Sequence, residues 1–295
     1  MPLDIDVEHS VENSLHNIFL NLGKYMKKFR LFNSLVIAIS LLGLPAISFT
    51  AFGADDVEEV VAVGSRREAR SVGDSPAPVD IITGSDFVNQ GAMDLPDMIR
   101  TLVPSFNVNT QPISDAATLI RPANLRGLPP DNMLVLVNGK RRHRGAVISF
   151  LGSGISDGAQ GPDISAIPSI ALKQVEVLRD GASAQYGSDA IAGIMNFVLR
   201  DDSEGTQLEI RTGEYKEGDG DAWRIAANIG MPFTSDGFAN LSVELQDSQA
   251  TSRSVQRADA QGLYDGGNTA IWNYPEPAQI WGSPDVSDDY KFVVN

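Results

Sequence analysis

The sequence predicts a mixed α+β domain followed, from about residue 203, by antiparallel strands with one apolar and one polar face. Three features carry this reading. Two short apolar runs, Met133–Val137 and residues 175–178, sit between loops rich in glycine and charge, the pattern of buried strands closed by turns. Leu95, Met98, Ile99 and Leu102 recur at helical spacing and make one apolar face that can pack on a small sheet. After Thr206 the period of the apolar residues changes to two, as in half-buried strands.

The 295 residues are 42% hydrophobic and 21% charged, which supplies a core and is not the composition of a disordered chain. Cysteine is absent, excluding a disulfide framework, zinc–thiolate sites and a catalytic thiol. Export is read from Met26-Lys-Lys-Phe-Arg30, the apolar residues 31–44, Pro45 and the small-residue pattern Ala51-Phe-Gly53: a signal peptide over residues 26–53, cleaved after Gly53. Its apolar run of about 14 residues falls short of the roughly 20 that a bilayer-crossing helix requires. A signal peptide begins at its basic end, so Met26 is the expected start and residues 1–25 an upstream extension assigned to the gene in error.

Residues 1–53 hold four acidic and four basic side chains, so the remainder keeps the net charge of −15, with 34 acidic against 19 basic residues. That balance argues against nucleic acid as a partner, since phosphate binding relies on a surplus of Lys and Arg. Lys140-Arg-Arg-His-Arg144 is the one local exception.

Taken in order, Val57-Glu-Glu-Val-Val-Ala-Val63 is β-prone and can serve as an added edge strand or as an ordinary first strand. Residues 78–83 read as a strand. Ser85 and Asp94 are N-caps for helices over 86–90 and 95–103, the second stopped by Pro104. Beyond residue 202, Leu208, Ile210 and Thr212 alternate with Gln207, Glu209 and Arg211; Trp223, Ile225, Ala227, Ile229 and Met231 form a second series; Ala239, Leu241, Val243 and Leu245 form a third; and Tyr290-Lys-Phe-Val-Val294 begins a fourth. The connectors are longer at 214–220, tight at Thr234-Ser-Asp-Gly237 and very long at 253–289. A transmembrane barrel has this rhythm. A soluble antiparallel sheet with one wet face also repeats every two residues, so periodicity alone leaves both readings open.

Arg126-Gly127, Leu134-Val-Leu-Val-Asn-Gly139, Val175-Glu-Val-Leu-Arg-Asp-Gly181, Ser183-Ala-Gln-Tyr-Gly187 and Ala192-Gly-Ile-Met-Asn196 follow one another in an order and spacing that closely resemble the plug domain of TonB-dependent outer-membrane receptors. The resemblance implies an α+β plug domain over 76–202, preceded by a periplasmic segment over 54–75 and followed, over 203–295, by the first three to four antiparallel strands of an incomplete transmembrane β-barrel. Such receptors close about 22 strands around the plug. The 93 residues after residue 202 hold three strands and the start of a fourth, so the chain reads as an N-terminal fragment. An open sheet leaves N–H and C=O groups unpaired in hydrocarbon, and the polypeptide alone is therefore not expected to be a working transporter.

The same resemblance implies function and site. Glu59, Val60, Val61, Ala62 and Val63 resemble the TonB box, which the energising protein TonB captures by strand addition. The loops 109–118 and 140–163 would form the plug apex, offering Gln111, Ser114, Asp115, Arg142, His143, Arg144, Ser153 and Asp157 to a solute. Arg126, Glu176 and Arg179 would brace the plug, with exposed strand charges as the alternative reading. The expected protein lies in the bacterial outer membrane, has TonB and an imported solute such as an iron-siderophore as partners, and needs no cofactor or metal. A soluble periplasmic binding or signalling module of plug-like fold is the alternative. Gly154-Ile-Ser-Asp-Gly158 satisfies G-x-S-x-G, yet its flanks read as a loop rather than the strand-to-helix turn that a hydrolase using Ser156 would need, so no catalytic residue is assigned.

Overall fold

A computed structural model describes residues 60–61, 70–71, 79–108, 120–149, 154–179, 182–234, 237–268 and 282–295. The expected signal peptide and upstream extension lie outside the described residues. Within the β-prone run before residue 64, β1 (Val60–Val61) pairs antiparallel with β2 (Arg70–Ser71).

The chain passes from β3 (Val79–Thr83) directly into α1 (Gly84–Val88), which starts two residues before the expected position. Thr83, rather than Ser85, is the N-cap. Its backbone N–H and its hydroxyl both donate to Asp86 Oδ2 at 2.8 Å, so the third helical residue anchors the last strand residue. α2 (Leu95–Leu102) follows the expected periodicity, burying Leu95, Met98 and Ile99.

β4 (Phe106–Val108) pairs with β5 (Ala123–Leu125). The principal sheet also contains β6 (Met133–Val137), β7 (Lys140–Arg141), β8 (Leu172–Leu178) and, after α3 (Ala182–Tyr186), β9 (Gly193–Leu199). Its order is β3-β8-β9-β6-β7, with β6 and β9 parallel and the other pairs antiparallel. Met133, Val135, Val175, Val177, Met195 and Phe197 join the helix-side core with Phe87, Leu95, Met98 and Ile99. Leu134, Leu136, Leu178 and Ile194 join a second cluster with Val79 and Ala190. Apolar neighbours on β6 thus bury on opposite faces, which is why this strand reads as a continuous run rather than an alternation.

Two glycines hold this sheet in register. Asn138 and Gly139 take φ 48° and 73° between the paired Val137 and Lys140, the left-handed geometry of a two-residue hairpin. Gly193 has φ 135°, and a Cβ there would lie 2.6 Å from the Leu178 carbonyl oxygen.

A second sheet is an antiparallel meander of β10 (Thr206–Gly213), β11 (Ala222–Pro232), β12 (Phe238–Ser248) and β13 (Val286–Val294). β13 begins four residues earlier than the expected start at Tyr290, and the long connector contains α4 (Ala260–Asp265). The alternation missed this because Ser287, Asp288 and Asp289 are polar. Pairing with β12, which continues as far as Ser248 across an irregularity, extends the strand instead.

The meander has its polarity inverted. Arg224, Asn228, Asn240, Ser242, Glu244, Gln246 and Lys291 are buried, whereas Leu208, Ile210, Tyr290, Phe292 and Val294 on the opposite face are exposed, Ile210 and Phe292 by 65% and 64%. The buried polar face packs on the α+β body.

Candidate functional site

The junction between body and meander is made of charged side chains that the pleat points inward. Arg224 on β11 donates from Nη2 to Ser169 Oγ at 2.6 Å, and its Nε lies 3.0 Å from Glu244 Oε2. Glu244 on β12 accepts from Lys291 Nζ on β13 at 2.8 Å and from the Ser169 backbone N–H at 3.3 Å. Opposite charges on neighbouring strands neutralise one another while two of their ligands come from the body. Arg211 on β10 donates to the backbone carbonyls of Phe87, Val88, Gln90 and Ala92 at 2.9, 3.0, 2.6 and 3.3 Å. A guanidinium thus caps carbonyls at and beyond the C-terminal end of α1, adding to the bond that the Phe87 carbonyl already accepts from the Gln90 N–H at 3.2 Å. At the other end of the strands, Asn295 donates from Nδ2 to the Arg200 carbonyl at 2.8 Å and accepts from Asn138 Nδ2 at 2.9 Å.

Asp94 precedes α2 but does not cap it with its side chain. Its carboxylate pairs with Arg121, which also reaches Asp97 at 3.0 Å, and lies 3.9 Å from Lys291 Nζ. Burial pushes the Asp94 carboxyl up to about 6; Arg121 and Lys291 oppose that rise, and Asp97 and Glu244 add to it.

The residues singled out from sequence fall in several places. Val60 and Val61 form β1, while Glu59, Ala62 and Val63 lie outside the described residues, as do Gln111, Ser114, Asp115 and Ser153. Arg142, His143 and Arg144 line a recess of about 250 Å³ together with Asp131, Gln160 and Asp189. Arg144 lies 3.4 Å from Asp131 and Arg141 pairs with Asp189, so carboxylates offset part of this basic cluster. Asp157 is exposed in a separate turn.

Arg126, with φ 56°, donates from Nη1 to the Arg179 carbonyl at 2.5 Å, and Arg179 pairs with Asp80. Glu176 is buried and accepts from Gln174 Nε2 and Asn196 Nδ2, both at 2.9 Å. These contacts all lie within the α+β body. Ser156 is buried in a single 3-10 turn, Gly154–Ser156, away from any strand-to-helix elbow.

Residues 71–194 match the family model of the TonB-dependent receptor plug domain. This segment is a TonB-dependent receptor plug domain. The plug comprises the five-stranded sheet with its helices, and the meander follows it in the chain. Among solved structures the chain is similar to a single-residue variant of the ferric enterobactin receptor from Pseudomonas aeruginosa, at 22% identity over 60% of this chain and 25% of that one, with a TM-score of 0.46. It is also similar to the siderophore receptor PirA from Acinetobacter baumannii, at 24% identity over 61% and 25% with a TM-score of 0.43, and to the ferric yersiniabactin uptake receptor from Yersinia pestis, at 19% identity over 63% and 26% with a TM-score of 0.39. The matched region spans about a quarter of the length of these receptors.

Arg211, Arg224, Glu244 and Lys291, which seat the plug on the meander, were not singled out from the sequence. The available signal was their position: all four occupy the polar phase of a period-2 strand, where a water-facing sheet and a plug-facing sheet look alike.

Proposed function

We propose that the chain is the plug and first barrel strands of a TonB-dependent outer-membrane receptor, whose complete barrel binds a scarce solute such as an iron-siderophore and imports it when TonB acts on the plug. The inverted meander carries this reading. Its charged face is buried against the plug and its apolar face is exposed, with Leu208 63% and Val294 63% accessible. A soluble module would expose the polar face and bury the apolar one, whereas a transmembrane strand turns apolar residues to lipid and polar ones to the lumen.

In this mechanism residues 59–63 are the handle that TonB takes by strand addition. A pull on that handle draws on β1 and its partner β2 and then reaches β3, which among the described residues is an edge strand of the principal sheet paired with β8 alone. The apical residues Gln111, Ser114, Asp115, Arg142, His143, Arg144, Ser153 and Asp157 meet the solute, and Arg126, Glu176 and Arg179 keep the gate rigid. Residues 26–53 direct export to the outer membrane.

The chain lacks cysteine, which makes a direct test available. Val61→Cys in the complete receptor is expected to form a disulfide with a cysteine placed in the periplasmic domain of TonB, in outer-membrane vesicles containing the variant. Recovery of the variant in the detergent-free soluble fraction, with no adduct from any position over 59–63, rejects the reading.

A further inference from the structure

Arg141, Arg142, His143 and Arg144 follow one another from the end of β7 and line one recess, yet the fold treats them unequally. Arg141 is held by the Asp189 carboxylate and the Tyr186 carbonyl. Arg144 lies 3.4 Å from Asp131. Arg142 stands apart. Its backbone N–H donates to the Val135 carbonyl at 2.9 Å, carrying the pairing with β6 one residue past β7 and fixing where its side chain starts. Its half-buried guanidinium has no hydrogen-bond or ion-pair partner among the described residues, and its Nε is closed off from solvent. With the other two arginines each offset by a carboxylate, the positive charge left uncompensated among the three is that of Arg142. A guanidinium keeps its charge in a protein, and its planar fork of N–H groups matches the paired oxygens of a carboxylate or phosphate.

The walls around it are fixed by hydrogen bonds. The Gln160 N–H donates to Asp131 Oδ1 at 3.2 Å, Gln160 Nε2 donates to the Gly145 carbonyl at 2.7 Å, and the Gly145 N–H donates to the Gly161 carbonyl at 3.0 Å. The segment that follows the basic run is thereby tied back across the recess, whose volume is about 250 Å³. Pockets for drug-sized ligands enclose roughly 300–1,000 Å³, so this one has the size for a single arm of a larger molecule. We propose that Arg142 is an oxyanion anchor, its guanidinium taking a carboxylate or phosphate group on one arm of the imported solute. The proposal rests on the receptor reading for the identity of the solute's carrier, and it narrows the apical residues to one charge-bearing contact and one chemical class.

The test titrates the full chain in detergent micelles with succinate and with inorganic phosphate at constant ionic strength. The side-chain Nε–Hε NMR signal of Arg142, identified by its loss in Arg142→Lys, reports the contact, and the Gly145 and Gln160 amide signals report affinity in the variants. At least one of the two oxyanions is expected to shift the Arg142 signal, whereas neutral succinamide leaves it in place. Arg142→Lys keeps the charge but loses the fork and should weaken binding by roughly tenfold, with Arg142→Gln weakening it further. Arg141→Gln combined with Asp189→Asn removes an already neutralised pair and should change affinity by no more than about fivefold, the scale of an exposed pair. An Arg142 signal unmoved by both oxyanions, an equal response to succinamide, an Arg142→Gln variant that binds like the unmodified chain, or a double variant that loses as much as Arg142→Gln overturns the proposal. The titration needs neither TonB nor transport. Its failure leaves the Val61→Cys cross-link standing, and failure of the cross-link leaves the titration readable.

Discussion

Replacing Glu244 by Leu probes whether the charged junction holds the plug and meander together. The Glu244 side chain is 3% exposed and its two cationic partners, Arg224 and Lys291, are 1% and 7% exposed. The substitution leaves both cations buried without their common counter-ion and removes the acceptor of the Ser169 N–H. Breaking a buried pair by deleting one member costs about 3–5 kcal/mol, which at about 1.4 kcal/mol per decade is roughly two to four orders of magnitude in the folding equilibrium. Arg224 retains Glu209 at 3.6 Å and Lys291 retains Asp289 at 3.5 Å, so the lower part of that range is expected. Urea unfolding of the full chain in micelles, followed by tryptophan fluorescence with Trp223 on the neighbouring strand as a reporter, gives the difference as a shift of midpoint at constant slope. The triple replacement Arg224→Met, Glu244→Leu, Lys291→Met should cost less than the single change, because it strands no cation in the network. A loss below about 1 kcal/mol for Glu244→Leu, the scale of an exposed pair, refutes the claim that this network is a desolvated joint.

Two further substitutions test the sheets separately. Gly193→Ala forces an L side chain to φ 135° with its Cβ 2.6 Å from the Leu178 oxygen and 2.9 Å from Leu125 Cδ2, and should lower stability by about 3 kcal/mol or more in the same urea titration. Gly91→Ala, with nothing within 4 Å and no positive φ, serves as the tolerant control. Val243→Arg, on the apolar face of β12, should weaken insertion of the complete receptor into lipid vesicles by about 2–4 kcal/mol. A change within about 0.5 kcal/mol, as expected at a solvated surface position, would show that this face does not meet hydrocarbon.

The principal sheet was legible because local and global preferences agree in it. Met133–Val137 was expected and observed as a strand, and α2 starts at the expected Leu95 because one apolar stripe faces one core. The start of α1 was displaced because the Thr83–Asp86 contact competes with Ser85 as a cap, a choice that composition does not rank. β13 was seen only in its apolar second half. The polar residues 287–289 became strand by pairing with β12, a contact some forty residues away in the chain.

By itself the sequence determined the period of each element, the turn positions and the linked motifs of the plug, because these depend on neighbours within a few residues. It also determined that each meander strand has two unlike faces. Which face is buried was decided only by the tertiary structure: alternation repeats identically in water and in lipid, and the ambiguity is removed when Arg211, Arg224, Glu244 and Lys291 find their partners on the plug. The Lys291 ammonium and the buried Asp94 beside it belong to the same category, since strands β12 and β13 and helix α2 must meet before one charge can serve three carboxylates.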